Sequence, residues 1–76
     1  MGRRRVLSGA EVCETLRSQG FVEVRRRGSH VVMQKRTGGT TVTVPVPDHD
    51  ELKAGTLASI IRQSGLSKDL FFKANR

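Results

Sequence analysis

One histidine in the sequence stands where it can transfer a proton to or from a bound phosphodiester. His30 follows the run Arg25-Arg26-Arg27-Gly28-Ser29, which puts an imidazole beside the densest internal cluster of cations. Imidazole is the side chain whose ordinary pKa, about 6.5, suits proton transfer near neutral pH. Guanidinium groups grip phosphates and offset the charge that develops on them. Gly28 lets a nucleic-acid backbone approach closely, and Ser29 can donate to a phosphate oxygen. RNA brings its own nucleophile, the 2′-hydroxyl, which DNA lacks. A minimal site would therefore use His30 as the catalytic group, taking the 2′-OH proton or giving one to the leaving 5′-oxygen. Arg25, Arg27 and Lys35 would clamp the phosphate, with Gly28 and Ser29 completing the RNA-binding set. Arg26 alternates to the opposite face from Arg25 and Arg27. On spacing alone a single histidine at a strand edge also fits a purely structural role, and that alternative stays open.

Other constellations are missing. No G-x-S-x-G elbow, Walker loop or H-E-x-x-H pair is present. Asp48-His49-Asp50-Glu51 are ligand types, but four consecutive residues rarely converge on one point, so a solvated loop is expected, with no metal and no other cofactor. Cys13 is the only cysteine. It can form neither an intrachain disulfide nor a cysteine-rich zinc site, and is expected to be a small buried residue on a helix. No stretch has the length of an apolar membrane span, and residues 1–15 lack the apolar region of a signal peptide. These features together predict a cytoplasmic protein.

The elements that must hold His30 are short. The chain has 76 residues, 36% of them hydrophobic, with three Phe and no Trp or Tyr. That suffices for one small domain over 1–76, with a core of Val, Leu and Ile, and excludes a nucleotide-binding domain paired with a substrate domain. Residues 1–36 hold nine basic and three acidic side chains, residues 37–76 five and four. A basic half attracts phosphate backbones. Arg3-Arg4-Arg5 belongs to a start, residues 1–6, expected to be disordered. Ser8 and Glu11 have capping-box spacing, with Leu7 and Val12 at the staple positions, so a helix is predicted over 9–19, stopped at Gly20. From Phe21 to Arg27 the pattern alternates, with Val22, Val24 and Arg26 on one side and Phe21, Glu23 and Arg25 on the other. Turns at Gly28-Ser29 and Gly38-Gly39 separate strands at Val31–Lys35 and Thr41–Val44, the last ended by Pro45 and Pro47. Leu57, Ile60 and Ile61 then mark a second helix closed by Gly65, and Ser67 caps a short third one carrying Leu70 and Phe71. The order is α-β-β-β-α with a short C-terminal helix: an α+β domain with a three-stranded antiparallel sheet and helices on one face.

Gly20-Phe21, Arg27-Gly28-Ser29-His30, Thr43-Val44-Pro45-Val46, Glu51-Leu52-Lys53 with Gly55-Thr56-Leu57, and Ile60-Ile61-Arg62-Gln63-Ser64-Gly65-Leu66 occur in that order. In this the sequence resembles the HicA family of toxin ribonucleases, also called YcfA-like proteins, over residues 7–70. The resemblance implies a fold like a double-stranded RNA-binding domain and the activity of a metal-independent mRNA interferase, the toxic half of a type II toxin–antitoxin pair. It puts the catalytic histidine of the G-S-H motif on His30, and implies a HicB antitoxin that binds over the active face. A non-catalytic double-stranded-RNA-binding module is the alternative. Two departures stand out. Many members read G-S-H-H, whereas Val31 follows His30 here; many carry a histidine after V-P-V, whereas Pro47 stands there and His49 lies two residues on. Either His49 takes over any acid–base role of that second histidine, or this member cuts more slowly.

Overall fold

The computed structural model describes residues 6–73. Its elements run α1 (Gly9–Ser18), β1 (Val22–Arg27), β2 (His30–Thr37), β3 (Thr40–Pro47), α2 (Ala54–Ser64) and α3 (Lys68–Lys73), the order the sequence predicts. The Arg3-Arg4-Arg5 run lies outside the described residues.

Short-range chemistry sets the helix ends. The Glu11 N–H donates to Ser8 Oγ at 3.1 Å, and the Ser8 N–H donates to the Glu11 carboxylate at 2.9 Å. Each side chain thus satisfies a backbone donor that the first helical turn leaves free. Leu7 and Val12, on either side of this box, are both buried. α1 ends at Ser18, one residue before the predicted end, with Gln19 as its cap, and Gly65 caps α2. Ser67 Oγ accepts from the Asp69 N–H at 3.3 Å and opens α3.

The strands lie in the order β1-β2-β3, both pairs antiparallel. Two features correct the sequence pattern. Plain alternation puts Glu23 with Arg25, but a bulge between these residues leaves Val24 without a partner on β2. The extra residue reverses the phase beyond it. Val22, Arg25 and Arg27 therefore share one face, opposite Gln34, Val32 and His30, while Glu23 and Arg26 share the other, opposite Met33 and Val31. Nor does Pro45 end β3. The strand runs through it, opposite Val32, and stops at Pro47, opposite His30. β3 is an edge strand, where a residue without an N–H is tolerated on the outward side.

Val31 and Met33 of β2 and Val44 and Val46 of β3 are buried in one cluster. The same cluster takes in Val12, Cys13 and Leu16 of α1, Leu57 and Ile60 of α2, and Phe71 of α3. All the helices thus cover one face of the sheet, and burial of each such side chain contributes roughly 1.5–3 kcal/mol. The other face is left to solvent. At the start of α1 the packing is so close that a Cβ on Gly9 would overlap the Pro47 carbonyl oxygen. The Gly9 N–H donates to the His49 carbonyl at 2.8 Å and the Leu52 N–H to the Leu7 carbonyl at 2.9 Å. The loop after β3 is thereby fastened to the beginning of α1.

Candidate functional site

Arg27-Gly28-Ser29-His30 is the hairpin between β1 and β2. Gly28 adopts φ 57° and Ser29 stays at negative φ, the two-residue loop that wants glycine first. So tight a turn sets Arg27 directly opposite His30. Directly paired residues hold their Cβ atoms about 5 Å apart, and diagonal ones about 7–8 Å, so the long Arg25 side chain also reaches this region. His30, Arg25, Arg27, Gly28 and Ser29 are all exposed.

The charge pattern follows from the bulge. Glu23 is the one carboxylate in the three strands, and it lies on the helix-covered face. Arg25, Arg27, Arg36 and His30 consequently occupy an open face that carries no acid. Arg26 has the opposite fate. Its Nη1 donates to Asp48 Oδ2 at 3.0 Å, and its Nε lies 3.9 Å from Glu23, which in turn meets Arg17 of α1 at 3.8 Å. The hydrogen bond that Arg26 donates to the Asp48 carboxylate raises the Arg26 pKa, favouring the charged guanidinium. The middle charge of the triplet is balanced locally. Among the described residues the outer two have no ion-pair partner.

Lys35 is not brought to this group. It stands an odd number of positions from His30 on β2, so it points to the helix side, where it is half-buried with Nζ 5.8 Å from the centre of the Phe21 ring. Arg36, an even number of positions from His30, shares its face opposite Thr41. Period-two spacing from His30 is the sequence signal that marks Arg36.

The two departures from the family pattern fall on different faces. Val31 is 4% exposed, so that position points into the core. Position 47 lies directly across from His30, so Pro47 puts a ring without donor or acceptor beside the imidazole. His49 lies past the end of β3, in the loop held to Gly9. Among the described residues no group of three or more His, Cys, Asp or Glu side chains is arranged to hold a metal. Cys13 is buried, as expected, and burial pushes its thiol pKa up, which disfavours the reactive thiolate.

A groove lined by Leu52, Leu57, Ile61 and Phe72 lies on the helix side and contains none of these residues. The candidate site is instead an open cationic surface, suited to an extended polyanion rather than a small molecule held in a cavity. No helix among the described residues is long and apolar enough to cross a membrane.

No curated protein matches the chain. The family model described as "HicA toxin of bacterial toxin-antitoxin" matches residues 9–66. That span begins with α1, includes the whole sheet with its Arg27–His30 hairpin, and runs past the end of α2. The chain therefore belongs to the HicA toxin family of bacterial toxin–antitoxin systems.

Proposed function

We propose that the protein is a metal-independent endoribonuclease that cleaves mRNA in the cytoplasm and is neutralised by a HicB-type antitoxin. The observation that carries this reading is the acid-free sheet face on which His30 stands opposite Arg27 and diagonal to Arg25. A phosphate of the RNA strand lies against the two guanidiniums. The exposed imidazole either takes the 2′-OH proton as that oxygen attacks phosphorus, or protonates the 5′-oxygen as its bond to phosphorus breaks. Formation of the O2′–P bond and loss of the P–O5′ bond leave a 2′,3′-cyclic phosphate and a 5′-hydroxyl. One general acid or base typically contributes 10²–10⁴-fold. Since Pro47 rather than a second imidazole faces His30, solvent handles the other proton and turnover is slow. Arg25, Arg27, Gly28 and Ser29 bind the strand, and Arg36 extends the cationic surface; Lys35, on the far side, is left out of the clamp. Family membership implies an antitoxin partner, and the face free of helices is the one it covers.

The test is incubation of the purified protein with single-stranded RNA in EDTA. Discrete fragments ending in 2′,3′-cyclic phosphate, lost in His30→Ala, are expected. Intact RNA together with tight binding of duplex RNA would instead identify a non-catalytic double-stranded-RNA-binding module.

A further inference from the structure

Asp48 lies outside the group that meets RNA, yet it is tied to the turn that carries His30. Its N–H donates to the Ser29 carbonyl at 2.6 Å. Its carboxylate accepts from Arg26 Nη1 at 3.0 Å. It also directly follows Pro47, the cross-strand partner of His30. Asp48 is itself firmly held, because the residues on either side of it are fastened to α1: Gly9 packs on the Pro47 carbonyl and donates to the His49 carbonyl. A continuous mechanical path thus leads from the packed start of α1, through residues 47–49, to Ser29 and Arg26, and so to both sides of His30. Without it, the Gly28-Ser29 turn would be held only through the strand pairing on either side of His30.

We propose that the Arg26–Asp48 pair is a positioning latch for His30, a role that rests on the ribonuclease reading above. The pair clamps the Gly28-Ser29 turn against the end of β3, so the imidazole keeps one placement relative to Arg25 and Arg27. Both side chains are about half exposed, 49% and 44%, and ion pairs of that kind add little to global stability. Their effect is local. Misplacing a reacting group by about 1 Å can cost on the order of 100-fold in rate. The latch also accounts for the odd member of the arginine triplet: Arg26 anchors the turn from behind while its neighbours face the substrate.

The experiment compares Arg26→Ala, Asp48→Ala and the reversed pair R26D/D48R, the last made together with Glu23→Gln so that the reversed charge at position 26 meets no like charge, with the wild type. Single-turnover cleavage of a labelled single-stranded RNA is measured alongside RNA affinity, Tm and the amide hydrogen exchange of His30 and Asp48. Each single variant is expected to cleave about tenfold more slowly, within the range that small displacements produce, with affinity and Tm nearly unchanged. The Asp48 amide exchanges faster in Arg26→Ala, and the reversed pair recovers most of the lost rate. Single variants that cleave at the wild-type rate, or a reversed pair as slow as they are, overturn the latch. If the wild type leaves RNA intact, it is the ribonuclease reading that fails. The exchange data then decide the latch alone, and an Asp48 amide equally protected in wild type and Arg26→Ala overturns it.

Discussion

Glutamine substitutions can separate the three consecutive arginines by the face each occupies. Arg25 and Arg27 stand on the acid-free face, whereas Arg26 is balanced by Glu23 and Asp48 on the helix side. Each phosphate neutralised on a single strand contributes about 0.7 to the slope of log affinity against log salt. Replacing Arg25 and Arg27 together therefore flattens the slope by ~1.4. Between roughly 50 and 200 mM salt, the wild-type protein then loses about sevenfold more affinity than the double variant does. Arg26→Gln removes the same kind of charge and leaves the slope close to that of the wild type. The assay is fluorescence anisotropy of a short labelled single-stranded RNA across that salt range, in a His30→Ala background so that the strand stays whole. If Arg26→Gln flattens the slope as much as its neighbours do, or if the double variant leaves it unchanged, RNA does not lie on this face and the two-face assignment is refuted.

Three further predictions concern the scaffold. Gly9→Ala drives a Cβ into the Pro47 backbone and is expected to cost about 1–3 kcal/mol, as overpacking does. Gly55→Ala, where nothing lies within 4 Å of an added Cβ, should raise stability by up to roughly 1 kcal/mol; thermal unfolding followed by circular dichroism distinguishes the two, and equal effects would contradict the packing at α1. Cys13, buried with its thiol pKa pushed up, should react with a thiol reagent only slowly until denaturant is added, and rapid labelling of the native protein would contradict its burial.

Much of the fold was legible because it is written in local chemistry. The Ser8–Glu11 box, the two hairpin turns, the Gly65 cap and the Ser67 cap each depend on residues a few positions apart. The bulge at Val24 was not legible, since its effect appears only when β1 pairs with β2. Without it, Glu23 falls beside Arg25 and the acid-free face is hidden. The full length of β3 was not legible for a related reason: prolines break a strand only where the missing N–H is needed, and being at an edge is a property of the assembled sheet. At the site, the tight Gly28-Ser29 turn made His30 and the flanking arginines readable together. Lys35, expected to join the phosphate clamp, stands an odd number of positions from His30, a spacing that puts it on the other face. Gly9 and Asp48 gave no sequence signal, because their roles come from a loop that closes over the start of α1.

The decisive measurement is the single-turnover cleavage rate of His30→Ala, read together with its affinity for the same single-stranded RNA in EDTA. Loss of the imidazole should slow cleavage by about 10²-fold or more, while Arg25 and Arg27 keep the dissociation constant nearly unchanged. Cleavage that survives at the wild-type rate would remove His30 from the chemistry and leave the cationic face as a binding surface only.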